Sequence, residues 1–191
     1  MLKTFATICI IGMFTSSCTS KKASRTEGSH EAEQDLTMIV GTYTSGDSKG
    51  LYSFRFNEEN GTATALSEAE VENPSYLVPS ADGKFIYAVS EFSNEQAAAN
   101  AFAFNKEEGT FRLLNTQKTG GEDPCYIITN GSNVVTANYS GGSISVFPID
   151  KDGSLLPASE VVKFKGSGAD KERQEKPHLH CVRITPDGKY L

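Results

Sequence analysis

The chain has 191 residues, 38% of them hydrophobic, and a formal net charge of −6. A chain of this length ordinarily forms one domain. It carries no Lys/Arg-rich block beyond Lys21-Lys22. Nucleic acid is therefore excluded as a partner, because phosphate binding needs a basic face.

The first eighteen residues resemble a bacterial lipoprotein signal peptide. Lys3 precedes the mostly apolar stretch 4–14, which is too short to span a bilayer, and small residues then lead to Cys18. We expect residues 1–18 to direct export and Cys18 to be lipidated, although Thr15 replaces the usual aliphatic residue. The protein would then be a cell-envelope lipoprotein that meets the membrane only through its lipid. A plain secretory signal, an uncleaved anchor or a cytoplasmic protein are the alternatives.

Residues 19–36 are predicted to be a flexible tether. They contain almost no bulky apolar side chain and cannot bury a core. The folded part is therefore expected to span residues 37–191.

This part contains an internal repeat of about fifty residues. Each copy starts at a proline and continues with a short strand, a polar turn and an apolar strand. The prolines are Pro74, Pro124 and Pro177, and the turns contain Asp82-Gly83, Asn130-Gly131 and Asp187-Gly188. Such dipeptides favour tight hairpins because Gly, Asn and Asp tolerate positive φ.

A second hairpin recurs between these copies. It is predicted over 51–66, 101–114 and 143–156, where the returning strands are 62–66, 110–114 and 154–156. Two hairpins per period make four strands, which is one propeller blade. We therefore predict an all-β propeller. A β-sandwich is the alternative, but it does not explain the repeat. The chain would hold about the first three to four blades and be truncated, since a closed ring needs at least four.

Several segments resemble the lactonase family of seven-bladed β-propellers, which includes bacterial 6-phosphogluconolactonase and fungal muconate lactonising enzyme. The resemblance runs from about Met38 to Leu191 and is most specific in the last of the segments that carry it. These are Val40–Thr44, Gly50–Tyr52, Asn73–Leu77, Tyr87–Glu91, Ala137–Ser143 and Arg173–His180. It implies seven blades in the full protein and hydrolysis of a sugar lactone, with a small-molecule lactone as the partner.

Four polar residues near the last repeat are the candidate catalytic group. His178 and His180 lie two apart, so on a strand they would share one face, and either could act as a general base. Arg173 could hold an anionic group or the developing oxyanion, and Glu175 could orient a histidine or act as the base. Two buried structural histidines and two solvated loop charges are the alternative. No cofactor is expected, and no metal, because the histidine pair lacks a third ligand at suitable spacing.

Asn138, Tyr139 and Glu91 end matching apolar strands and are predicted to contact the substrate at a common mouth. Hydrogen bonds between blades are the structural alternative for them. Cys125 and Cys181 are expected to be free, buried thiols.

Two other functions remain open at this point: a non-catalytic binding module of the envelope, and a muconate-type lactonising cycloisomerase. The sequence does not indicate an oligomeric state.

Overall fold

The computed structural model describes residues 36–191, so the predicted signal, Cys18 and all of the tether but its last residue lie outside the described part. This part contains eleven strands. They are β1 (Leu36–Gly41), β2 (Gly50–Phe56), β3 (Ala63–Glu70), β4 (Leu77–Pro79), β5 (Phe85–Ser90), β6 (Ala98–Asn105), β7 (Thr110–Lys118), β8 (Pro124–Thr129), β9 (Asn133–Asn138), β10 (Ser143–Pro148) and β11 (Glu160–Lys163). Within residues 36–191 there is no helix long and apolar enough to cross a membrane.

The strands form three antiparallel sheets, each a blade. The first has the order β1-β2-β3, the second β4-β5-β6-β7 and the third β8-β9-β10-β11. Within each sheet, strands that follow one another in sequence are hydrogen-bonded neighbours. The four-strand repeat is therefore confirmed for the second and third blades, and the first blade has three strands among the described residues.

The blades pack face to face because strand side chains alternate between two faces. In β5, Ile86 and Ala88 pack with Leu51 of the first blade. Tyr87 and Val89, on the opposite face, share a core with side chains of the third blade, such as Phe147. The second blade therefore has apolar side chains on both faces, and its two neighbouring blades bury them.

The three predicted polar turns are present. Gly83, Gly131 and Gly188 all have positive φ, between 69° and 86°, and Gly83 and Gly188 each donate a backbone hydrogen bond that closes the turn. The prolines Pro74, Pro124 and Pro177 also share one setting, because each directly precedes or opens the segment that begins a new blade.

One predicted strand was placed wrongly. Beyond the turn at 150–153, residues 154–156 contribute only a single bridge between Leu155 and Ile149. The strand that pairs with β10 is β11, after a further bend. Pro157 explains the difference, since proline cannot donate a ladder hydrogen bond and interrupts the returning strand.

The segment after Pro177 opens a fourth unit without forming a regular strand. It has no hydrogen-bonded partner strand among residues 36–191, and its backbone–backbone hydrogen bonds are the two of the turn, from Thr185 N to Tyr190 O at 2.9 Å and from Gly188 N to Thr185 O at 2.8 Å. The segment is nevertheless docked on the third blade, because Val182 and Leu179 pack against Val135 and Ala137. Its position therefore follows the same face-to-face rule as the complete blades.

Candidate active site

The backbone places Glu91 and Tyr139 at equivalent points of adjacent blades. Asn73 and Asp123, just before the blade prolines, adopt left-handed conformations with φ of 48° and 51°, which Asn and Asp tolerate better than other side chains. Their carbonyl oxygens accept hydrogen bonds from Glu91 N at 3.0 Å and Tyr139 N at 2.8 Å. The residue after β5 and the residue after β9 are thus fixed in the same way.

The centre of the site is a hydrogen-bonded pair of side chains, the Glu175 carboxylate and the His178 imidazole. Glu175 Oε1 lies 3.2 Å from His178 Nε2, and the side chains are 46% and 20% exposed. The imidazole packs on the Tyr139 ring with centroids 4.7 Å apart. His178 Nδ1 is buried and has no hydrogen-bond partner among the described residues. The carboxylate at Nε2 orients the imidazole and leaves Nδ1 as the ring nitrogen without a protein partner in residues 36–191.

Glu175 remains an ionised carboxylate in this pair. Its own backbone N–H is the largest cause that lowers the pKa of the Glu175 carboxyl, burial opposes it, and the hydrogen bond and charge of His178 lower the pKa further by smaller amounts. An anion at Oε1 favours a proton on the facing Nε2 and fixes the orientation of the ring.

Tyr139 also contacts the other two candidate catalytic residues, His180 and Arg173. The His180 ring meets it edge-on, with centroids 5.8 Å apart. Arg173 Nη2 donates to Tyr139 Oη at 3.4 Å. The expected strand is not formed here, yet both histidines reach one ring. Arg173, Glu175, His178 and His180 are therefore brought together, although the sequence alone does not make Tyr139 their centre.

A self-closed loop presents Arg173 and Glu175. Asp170 Oδ1 accepts hydrogen bonds from Glu172 N at 2.9 Å and Arg173 N at 3.0 Å. Gln174 closes the loop by accepting from Gly168 N through its carbonyl and from Asp170 N through its side chain. The side chains are exposed, but the backbone that carries them is ordered by these bonds.

Gly142 allows the histidine segment to approach the third blade. It has a φ of 56°, and a Cβ at this position would lie 2.7 Å from the carbonyl oxygen of Pro177. No other residue type fits this turn without moving the residue directly before His178.

Glu91 belongs to a second polar group. Its Oε2 accepts hydrogen bonds from Tyr43 Oη at 2.9 Å and from Ser75 Oγ. Cys125 lies between the two groups: its thiol points at the carbonyl oxygens of Leu179 and His180, each 3.7 Å away. Burial, and then the Glu91 charge, raise the pKa of Cys125 to about 11.

Asn138 does not take the substrate-binding place predicted for it. It is completely buried, and its amide nitrogen donates to Ser143 Oγ and Ser145 Oγ while its oxygen accepts from Thr136. Both ends of the amide are thus satisfied inside the third blade. A structural role replaces the predicted contact, because β9 turns this side chain into the sheet rather than towards the mouth.

Tyr43 and Ser75 join the site without having been predicted from the sequence. For Ser75, the repeat in the sequence could have indicated the position, because Ser75, Cys125 and His178 each follow a blade proline.

The two thiols are less buried than predicted: Cys125 is half-buried and Cys181 is exposed. Cys181 lies in the segment that lacks a neighbouring strand. Within residues 36–191, no cluster of three or more His, Cys, Asp or Glu side chains could hold a metal ion.

Comparison with known proteins agrees with this architecture. Residues 37–191 match the family described as "Lactonase, 7-bladed beta-propeller". A 6-phosphogluconolactonase of Bacillus subtilis is 37% identical over 158 residues, which cover 80% of this chain and 44% of that protein.

Two solved structures superpose well on the chain. One, from Bacteroides fragilis and provisionally assigned as a 6-phosphogluconolactonase, is 72% identical with a TM-score of 0.82, covering 84% of this chain and 45% of the other. The other is a periplasmic gluconolactonase of Pseudomonas aeruginosa, 30% identical with a TM-score of 0.74, covering 81% and 45%. The chain thus spans less than half the length of these relatives. With its repeated four-stranded blades and a family match over residues 37–191, it belongs to the lactonase family of seven-bladed β-propellers.

Proposed function

We propose that the complete protein hydrolyses a sugar lactone, as a carboxylic ester hydrolase of the 6-phosphogluconolactonase kind. The observation that carries the proposal is the Glu175–His178 pair, packed on Tyr139 with Arg173 beside it. The names of the relatives, 6-phosphogluconolactonase and gluconolactonase, support the same reaction.

The residues supply what lactone opening needs. Water must lose a proton as its oxygen attacks the carbonyl carbon, and the resulting oxyanion must be stabilised. His178, oriented by Glu175, accepts the proton, and the Arg173 guanidinium stabilises the oxyanion. When the ring C–O bond breaks, the imidazolium returns the proton to the leaving alkoxide. The products are one hydroxyl and one carboxylic acid, which then ionises and releases a proton to solvent. No covalent intermediate is required.

The same site is tested most simply by a carboxylate substitution. In the complete protein, Glu175→Gln should lower kcat/KM for δ-gluconolactone by roughly 10- to 100-fold, because the amide no longer holds the imidazole with a charge. Hydrolysis is followed by acid release at constant pH, for δ-gluconolactone and its 6-phosphate.

Glu172→Gln is the matched control. Glu172 lies three residues earlier in the same loop, and no hydrogen bond or ion pair of its side chain is found among residues 36–191. It should behave as wild type. A wild-type protein that opens neither lactone would contradict the proposal and favour a non-catalytic binding module.

We also propose that the protein is an exported lipoprotein whose substrate is an unphosphorylated lactone. The Met1–Cys18 pattern supports export, and one relative is named as periplasmic. A phosphorylated sugar lactone is a cytosolic metabolite, so export would separate the enzyme from it. Radiolabelled palmitate should enter the wild-type protein and be absent from Cys18→Ser; equal labelling of both would exclude lipidation at Cys18.

A further inference from the structure

The Tyr43–Ser75–Glu91 group forms a prepared hydrogen-bonding surface where β1 and β5 end and β4 begins. Tyr43 and Ser75 both donate to Oε2 of Glu91. Glu91 Oε1 accepts no hydrogen bond from the described residues, so one carboxylate oxygen remains available to a ligand. A carboxylate held by two donors on one oxygen is oriented before a ligand arrives.

The backbone around this group is fixed as well. Asn73 Oδ1 accepts from both the N–H and the hydroxyl of Thr44, at 3.0 Å each, and Asn73 Nδ2 donates to Glu91 O at 3.3 Å. Asn73 therefore ties the loop that carries Tyr43 to the residue that carries the carboxylate. The first and second blades thus build this surface together.

The position of the group relates it to the Glu175–His178 pair. Glu91 and Tyr139 occupy equivalent points of adjacent blades, as do Ser75 and His178. Cys125 bridges the two groups, since its thiol contacts the backbone of the histidine segment and is influenced by the Glu91 charge. A ligand at the mouth would meet both groups at the same level of the propeller.

The chemistry of the two sides differs. Arg173 offers positive charge and hydrogen-bond donors, which suit a carbonyl oxygen or a carboxylate. Glu91 offers a negative acceptor, which suits hydroxyl groups and repels phosphate. Tyr43 is 57% exposed, so its ring also offers an apolar face to the C–H groups of a sugar.

We propose that Tyr43, Ser75 and Glu91 form a specificity subsite that binds the hydroxyl groups of an unphosphorylated polyhydroxy lactone. The proposal rests on the lactone hydrolysis proposed above and adds the orientation of the substrate. The carbonyl end lies towards Arg173 and His178, and the polyol end lies towards Glu91.

The test compares two substrates that differ in hydroxyl groups. δ-Gluconolactone carries the full set, and δ-valerolactone carries none beyond the ester. In the complete protein, Glu91→Gln should raise KM for δ-gluconolactone by roughly 10- to 100-fold, as expected for losing hydrogen bonds to a charged group. Ser75→Ala and Tyr43→Phe should raise it by about 3- to 10-fold. With δ-valerolactone, all three variants should match wild type in both kcat and KM.

Ser80→Ala is the matched control. Ser80 Oγ also donates to a carboxylate, that of Asp82, at 2.7 Å, but it lies in the turn at the opposite end of β4. It should leave both substrates unaffected. Tyr43→Phe removes one hydroxyl from an exposed side chain and keeps the test valid should Glu91→Gln fail to fold.

A second comparison tests the sign of the charge. Glu91→Gln should raise kcat/KM for 6-phosphoglucono-δ-lactone relative to δ-gluconolactone, since the repelling charge is gone. Equal effects of the three variants on δ-gluconolactone and δ-valerolactone would overturn the subsite while leaving lactone hydrolysis intact. If the wild-type protein opens no lactone, the proposal of lactone hydrolysis is wrong, and the subsite is tested separately by calorimetric titration with D-gluconate. Weaker binding of D-gluconate by Glu91→Gln and Tyr43→Phe than by wild type would support the subsite. Unchanged binding would overturn it.

Discussion

At the scale of the residue, the site depends on which polar groups keep their charge. Glu175 stays ionised because its own N–H and His178 lower the pKa of its carboxyl. Cys125 stays neutral because burial, followed by the Glu91 charge, raises the pKa of its thiol to about 11. A neutral thiol beside the mouth neither attacks a lactone nor repels the Glu91 carboxylate.

The thiol provides a prediction about pH. Because the folded-state pKa of Cys125 lies above its ordinary value of 9.0, its contribution to folding stability is complete below about pH 9 and is lost as the pH rises towards 11. Alkylation of Cys125 by iodoacetamide should be slow at pH 8 and accelerate only near pH 11. Mass spectrometry of the Cys125 peptide gives the rate, with urea-unfolded protein as the control; equal rates in folded and unfolded protein at pH 8 would contradict the burial of this thiol.

Some site residues could be predicted from the sequence and others could not. His178, His180 and Glu175 could be singled out as candidates, but the prediction that the two histidines share one face assumed a strand that is not formed there. Asn138 could not be assigned correctly, because whether a polar side chain at a strand end faces the mouth or the sheet depends on partners such as Ser143 and Ser145 across a neighbouring strand. Tyr43 was equally hidden, since its link to Glu91 crosses 48 residues of chain.

At the scale of the element, short turns position the site. Gly142 sits where β9 returns to β10, and its missing Cβ leaves room for the Pro177 carbonyl. The histidine segment has no regular strand of its own in residues 36–191, so its placement depends on this close approach and on the packing of Leu179 and Val182.

Gly142→Ala should therefore impair both stability and catalysis. The positive φ costs about 1–2 kcal/mol of folding free energy for a residue with a Cβ, and displacement of Pro177 should lower kcat/KM for δ-gluconolactone by about tenfold. Gly131→Ala is the control, because Gly131 has a φ of 86° and a Cβ added there would meet no atom within 4 Å. It should lose stability alone; equal catalytic losses in both variants would disprove a specific role for Gly142.

At the scale of the whole molecule, the blades are joined by side chains buried between sheets. The repeat, the four-strand unit and the alternation of apolar residues were all predictable, because they follow from periodicity within the chain. The position of β11 was not, since Pro157 shifts the returning strand beyond the predicted turn. The irregular fourth segment was not predictable either, because strand formation depends on a pairing partner and not only on the local sequence.

The packing between blades predicts a large effect at Phe147, which is fully buried among residues of the second and third blades. Phe147→Ala should lower the free energy of unfolding by about 3–5 kcal/mol, through lost burial and the cavity left behind. Urea denaturation measures the change. Leu113→Ala, at a side chain that is 53% exposed on β7, should change stability by about 0.5 kcal/mol or less, and a loss as large as that of Phe147→Ala would contradict the assignment of the core.

The central claim is that Glu175 and His178 act as one unit in opening a lactone. A double-mutant cycle on kcat/KM for δ-gluconolactone tests it in the complete protein. His178→Ala should lower kcat/KM by about 10²- to 10⁴-fold, and adding Glu175→Gln to His178→Ala should lower it no further, because the carboxylate acts only through the imidazole. Losses that multiply in the double variant, or a His178→Ala protein as active as wild type, would contradict the claim.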